Sequence, residues 1–380
     1  MARTCENKSV NVQHPTSNSE RRKQNASDLD LRCSVWGVRC TSASAVPSRG
    51  SGLIVVLWIV ALLSLLISGF AFDMHIEARI VSYCRKRLKA EYLAQAGLER
   101  ARMLMARSKT IKGLNDPDDV KTEPWYNDAK RLKQGFGVMG VTDALGEGQV
   151  KLDIIPEPAR RNLNALKDED WERILKVGGI PEDRWSELVD SYNDWRDADD
   201  QPNIDGAETD DYYARLEPPY KARGRKGQAA NLDTVDELLL IKGFTRSILY
   251  GGYQVEDDTN SVYVAGIADL LTANAGAGGQ VNVNAATKRA LMTLPGIDDA
   301  IADAIIAERE GLTAGSQMSE DYYFTDVNNF FARVAELNGL NPADKARLRT
   351  LVSTASQVFR INSKGVVHGV EYRITSVVTL

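Results

Sequence analysis

The run from Leu53 to Phe72 constrains this chain more than any other stretch: it carries no charged residue and is rich in Leu, Ile and Val. At about 1.5 Å of rise per residue, a helix of this length crosses the ~30 Å hydrocarbon core of a bilayer, so the segment reads as a transmembrane helix. A secretory signal is the rival reading. Its apolar region is shorter and ends in a small-residue cleavage site, whereas here Asp73-Met74-His75 and a long helical pattern follow. At the front edge, Gly50 follows the basic Arg49 just ahead of the apolar run. A processing site there would lie before the membrane helix, between Gly50 and Ser51, and would leave the helix on the mature chain.

This arrangement resembles the type IV prepilin signal, which a prepilin peptidase cuts after the Gly. Counting from Ser51, the fifth residue is Val55, where most pilins carry Glu to pair with a neighbour's amino terminus. The apolar residue resembles the K minor pseudopilin of type II secretion systems, also called general secretion pathway protein K. A buried carboxylate is tolerable only when paired, so a subunit with no neighbour above it gains nothing from one. The resemblance implies single-pass insertion in the bacterial inner membrane, with the C-terminal domain in the periplasm and N-methylation of Ser51. Charge alone leaves orientation open, because Arg85, Lys86, Arg87 and Lys89 lie beyond the membrane segment.

Residues 1–50, rich in Ser, Asn, Thr and Arg, show no apolar periodicity and read as a disordered leader removed on processing. They are long for a prepilin leader, and a start at Val46 would give a short one. Cys5, Cys33 and Cys40 precede the cut, so Cys84 is the lone cysteine of the mature chain. This excludes an intramolecular disulfide or a cysteine-based metal site there. At 380 residues the chain suggests two or more folded units, and a net charge of -5 argues against nucleic acid as the partner.

From Asp73 to about Ser108 the pattern is helical, with Leu88, Tyr92, Ala96, Met103 and Leu104 as its expected apolar positions. Segments 136–141, 149–155, 358–361 and 370–378 read as strands, the second alternating Val150, Leu152 and Ile154. The predicted class is α+β. A pilin-like long N-terminal helix (51–110) serves an antiparallel sheet built from 111–160 and 355–380, which a large all-helical domain (161–354) interrupts. A further edge strand is expected after the last of these.

Inside the insertion, Asn162-Leu163-Asn164-Ala165 and Asn282-Val283-Asn284-Ala285 form a weak repeat. The second leads into a helix-hairpin-helix pattern, in which Asn caps the first helix, Pro295-Gly296-Ile297 makes the turn, and Ile297, Ile301 and Ile305 face inward. A related half-copy spans 235–244. Such hairpins often bind DNA through backbone N–H groups at a helix N-terminus. Here Asp298, Asp299 and Asp303 would repel a phosphate backbone. The pattern therefore favours a structural hairpin, with a membrane-anchored DNA receptor of the competence type as the alternative.

Between Asn193 and Tyr213 lie Asp194, Asp197, Asp199, Asp200, Asp205, Glu208, Asp210 and Asp211. Crowded carboxylates in a folded loop repel one another unless a hard cation joins them, and Ca²⁺ accepts many oxygens in flexible geometry. The spacing does not fit an EF-hand, and a solvated acidic loop is the alternative. The segments 194–200, 206–208, 212–213 and 218–220 also resemble the K family. That resemblance implies structural Ca²⁺ held by Asp197, Asp199, Asp200, Asp205 and Glu208 as a group.

Catalysis finds no constellation: His14, His75 and His368 lack neighbours suggesting a triad or metal site, and no catalytic residue is assigned. Trp171, Trp185 and Trp195 read as core. The resemblance implies a structural protein, with no nucleic-acid partner, that sits at a pseudopilus tip and starts its assembly. Implied partners are the I and J minor pseudopilins, the major pseudopilin, the inner-membrane assembly platform and the prepilin peptidase.

Overall fold

The computed structural model describes residues 51–224, 227–257, 260–276, 278–312 and 322–380. The proposed leader, including Gly50 of the cleavage pair, lies outside these residues. The chain divides into two compact units at Arg85–Lys86. Helix α1 (Ser51–Ser108) opens the described chain. In the first unit its apolar run is long and hydrophobic enough to cross a membrane, and every large apolar side chain from Leu53 to Phe72 is exposed, including Val55.

In the second unit the remaining turns of α1 bury Ala90, Ala94, Ala101, Leu104 and Met105, with Gly97 on the same face. Their spacing of three and four residues marks a single helix face. The expected stripe is corrected: Leu88, Tyr92 and Met103 are exposed. Small residues win this face because they let the sheet come up to the helix backbone. A Cβ on Gly97 would meet Ser363 Oγ, and one on Gly365 would meet the Ala90 carbonyl.

Short helices α2 (Asp118–Lys121) and α3 (Tyr126–Lys133) lead into a hairpin of β1 (Val138–Leu145) and β2 (Gly148–Pro156). Val150, Leu152 and Ile154 point inward along β2, as their alternation predicts. The chain then leaves the sheet for about two hundred residues. This excursion contains β3 (Arg161–Asn162), α4 (Asp168–Gly178), α5 (Trp185–Arg196), α6 (Arg246–Tyr250), β4 (Gly252–Asp257), β5 (Asn260–Val264), β6 (Leu271–Thr272) and β7 (Val281–Asn282). It continues through α7 (Lys288–Met292), α8 (Asp299–Arg309), α9 (Val327–Arg333), α10 (Pro342–Leu351) and β8 (Val352–Ser353).

It returns as β9 (Val358–Val367) and β10 (Val370–Thr379), joined at His368-Gly369, both with positive φ as a tight hairpin requires. The four-stranded sheet has the order β1-β2-β9-β10, and every neighbouring pair is antiparallel. The central pairing, from Gly148 opposite Val367 to Pro156 opposite Phe359, joins strands separated by the whole excursion. The fold is therefore α+β: a helix packed on an antiparallel sheet, with an additional region that is mostly helical and, against expectation, not all-helical, since it holds the β4–β5 hairpin and the short parallel pairs β3–β6 and β7–β8. Each region has its own apolar core, one gathering Leu104, Ile154 and Phe359 between helix and sheet, the other Trp171, Tyr192 and Phe330 within the insertion.

The sequence repeat is a repeat of hydrogen bonding. Asn162 Oδ1 accepts from Asn164 N, and Asn282 Oδ1 from Asn284 N. Asn164 accepts from Leu232 N and donates to the Leu232 and Ala273 carbonyls. Asn284 does the same with Phe324 N, the Phe324 carbonyl and the Thr354 carbonyl. The flanking strands correspond too, since β3 pairs in parallel with β6 and β7 with β8. These amides act on the backbone of distant segments, so the expectation that Asn caps the following helix needs correcting. Thr287 caps α7 by accepting from Ala290 N, while Asn162 caps only the short turn Leu163–Ala165.

Candidate metal centre

Helix α5 sets the acidic centre in place. Its last turns carry Asp194, Trp195 and Arg196 before the chain turns extended at Asp197. Trp195 and Tyr192 are buried in the insertion's core, which rotates Asp194 inward as well, leaving it 1% exposed. Two returning segments fix this end: Arg223 N and Gly224 N donate to the Trp195 carbonyl, and Ala230 N to that of Arg196.

The Asp194 carboxylate organises the loop that follows. It accepts from Asn203 N and Asn203 Nδ2, the latter at 2.6 Å, and from Ala207 N at 2.8 Å. Gly206 allows this closure, since a Cβ there would overlap Asp194 Oδ2. The loop thereby brings Glu208 to a buried position beside Asp194 and Asp197, and one carboxylate oxygen from each of the three lies within 4.8 Å of the others.

Glu208 is 5% exposed; its Oε2 accepts from Thr209 N, while Oε1 is buried with no hydrogen-bond partner among the described residues. Burial, aided by the charges of Asp197, Asp194 and Asp200, pushes its pKa up to about 7. Burial is also the main cause that raises Asp194 and Asp197, against opposing hydrogen bonds. An orphaned carboxylate oxygen and three carboxylates that resist ionisation together are what a hard divalent cation would relieve. The residues present fit such an ion, with Asp194, Asp197 and Glu208 as its holders.

Of the five residues expected from the sequence, two join this cluster, Asp197 and Glu208. Asp199 and Asp200 lie exposed on the same loop, Asp199 accepting from Gln201 N. Asp205 is exposed, and its carboxylate accepts from Ser186 Oγ at 2.6 Å. Asp194 was not in the expected set. Its signal was present in its place beside Trp195 and one turn after the small Ser191, which is buried on the same side of the helix.

At the predicted hairpin, α7 and α8 flank Pro295-Gly296-Ile297. Gly296 has φ +73°, and Ile297 and Ile305 are buried while Ile301 is half-buried. Asp298 caps α8, accepting from Ile301 N at 2.8 Å, and Lys288 pairs with Asp299 and Asp303.

A helix packed through small residues on an antiparallel sheet, with a large, mostly helical insertion between the central strands, is a pilin-like fold of an elaborated kind. The comparisons agree. A family model described as type II secretion system (T2SS), protein K, matches residues 157–250, which include the whole acidic centre. The type II secretion system protein K of Pseudomonas aeruginosa PAO1 is 26% identical over 205 residues, covering 51% of this chain and 57% of its own. A relative from Escherichia coli K12 is 28% identical over 214 residues, 53% of this chain and 59% of its own. The matched regions thus span less than two thirds of these relatives. A chain in the crystal structure of the GspK-GspI-GspJ complex of enterotoxigenic Escherichia coli superposes with a TM-score of 0.52 at 17% identity, covering 81% of this chain and 94% of that one. The chain is thus similar to type II secretion system protein K, by the family model over residues 157–250 and by these distant relatives.

Proposed function

We propose that the chain is a structural minor pseudopilin at the tip of the type II secretion pseudopilus, where it starts assembly and supports protein export across the outer membrane. The observation that carries this reading is the helical insertion between β2 and β9. It adds a body with its own core to a pilin-like sheet, and such bulk would obstruct a further subunit stacked on top. Val55 supports the same position, because it offers no carboxylate to a neighbour's amino terminus. The partners would be the I and J minor pseudopilins, as in the complex of the similar solved chain, together with the major pseudopilin and the assembly platform. The apolar part of α1 would anchor the chain in the inner membrane, the rest lying in the periplasm, after prepilin peptidase cleaves Gly50–Ser51.

Structural Ca²⁺ would sit among Asp194, Asp197 and Glu208, where it would neutralise their charge and tie the loop to α5. Asp199, Asp200 and Asp205 would add outer acidic charge around it. The Pro295-Gly296-Ile297 hairpin would serve as a helix-hairpin-helix of structural kind. The DNA-receptor reading meets an obstacle there: the Asp298 carboxylate already takes the N–H at the start of α8 that a phosphate would need.

The test is the mature N-terminus, read by mass spectrometry of membranes from cells with and without prepilin peptidase, with co-purification of the I and J pseudopilins. A chain beginning at Ser51 only when the peptidase is present, and retaining I and J, is the expected result. An uncut chain that purifies without them, or labelling of the protein all along the filament, would sink the proposal.

A further inference from the structure

A cavity of about 1400 Å³ opens beside the acidic centre, between the loop after α5 and the segments 220–224 and 233–240. Its lining includes the apolar Tyr220, Leu239 and Leu240, the last 47% exposed although large and aliphatic. Its walls are acidic. Asp233 and Glu237 are occupied by Arg223, with Glu237 2.8 Å from the guanidinium. Asp200, Asp210 and Asp236 also line it, Asp236 accepting a hydrogen bond from the Tyr250 hydroxyl, and Lys221 is the other cation among the lining residues. Glu208 also lines the cavity, and its buried Oε1 has no hydrogen-bond partner among the described residues.

We propose that this cavity docks a basic, amphipathic polypeptide segment of another protein. Apolar side chains of the segment would cover Tyr220, Leu239 and Leu240, while Lys or Arg side chains meet Asp200, Asp210 and Asp236. Arg223 shows that the walls accept a guanidinium: Glu237 receives hydrogen bonds from both this cation and the Trp195 indole. Aromatic and aliphatic surface next to carboxylates suits a long cationic side chain, whose stem packs while its head is paired. Charge complementarity of this kind sets partner choice and weakens with salt. The rim carries the contact whether or not Glu208 is engaged by a metal ion. This proposal does not depend on the pseudopilin reading, since it concerns only the charge and shape of the cavity.

The experiment uses the full chain in nanodiscs of zwitterionic lipid. Binding of a fluorescent peptide of Lys-Leu-Gly repeats is compared with that of the same peptide carrying Glu for Lys. The expected result is at least about tenfold tighter binding of the basic peptide at low ionic strength, lost as salt is raised. Asp210→Asn, at an exposed position, should weaken it severalfold with an unchanged melting temperature. Leu240→Lys, at an exposed position, should weaken it as well. Equal binding of the two peptides, or full binding by both variants, overturns the proposal.

Discussion

Ser363 Oγ donates to the Ala94 carbonyl at 2.7 Å, tying the middle of β9 to the backbone of α1. One turn earlier on the helix, the Ala90 carbonyl lies where a Cβ of Gly365 would stand, 1.9 Å away. The helix and sheet therefore meet backbone to backbone, with no side chain able to give way. Gly365→Ala must force the helix off the sheet and should cost about 1–3 kcal/mol, the usual range for overpacking. Chemical denaturation of the folded chain checks this, and an unchanged midpoint would mean the contact is looser than described.

The acidic centre makes stability depend on pH and metal together. The folded-state pKa of Glu208, about 7, is raised above its ordinary 4.5, so the unfolded state releases this proton first as pH rises. In metal-free protein, stability is therefore greatest below the ordinary value and declines as pH climbs through the folded one. Asp194 and Asp197, also raised, act in the same direction. A divalent cation needs the ionised forms, so added Ca²⁺ should lift the melting temperature little near pH 5 and most above about pH 7. A Ca²⁺ effect that is the same at both pH values would count against this centre as the binding site.

Substitutions should separate the inner carboxylates from the outer ones. Glu208→Gln removes the buried charge, and should both raise the stability of metal-free protein above neutral pH and abolish the Ca²⁺-induced rise in melting temperature. Asp205→Asn, whose position is exposed and bonded to Ser186, should leave most of that rise in place. If calorimetric titration shows the reverse order, the ion binds through the outer loop.

The two repeated amides offer a third comparison. Asn284 and Asn164 each satisfy backbone groups from segments far apart in sequence. Replacing either with Ala strands those groups, and an unsatisfied buried donor or acceptor costs about 1–3 kcal/mol. Asn284 should be the more sensitive, because it is buried and also bonds the Gln134 carbonyl outside the insertion. Urea unfolding of Asn284→Ala and Asn164→Ala decides the order.

Much of this architecture is local in origin and could be read along the chain. The uncharged run after Ser51 specifies a membrane-length helix, the alternation Val150, Leu152, Ile154 specifies a half-buried strand, and His368-Gly369 sits at the hairpin between β9 and β10. The acidic segment announced itself by charge density alone. The α1 contact face was misread because hydrophobic size suggested Leu88 and Tyr92, whereas close approach of a sheet selects Ala and Gly.

What the sequence by itself determined is therefore whatever depends on neighbours in the chain: helix length, strand alternation, turns and the presence of crowded carboxylates. Only the tertiary structure decided which of those carboxylates converge. Asp194 enters the centre because α5 buries it together with Ser191 beside the packed Tyr192 and Trp195, and Asp205 stays out because Ser186 holds it at the surface. The pairing of β2 with β9 and the bonds from Asn284 to Phe324 and Thr354 were likewise set by long-range contacts. Such contacts follow from burial and from satisfying every polar group at once, conditions that the whole fold meets and that no local stretch of sequence contains.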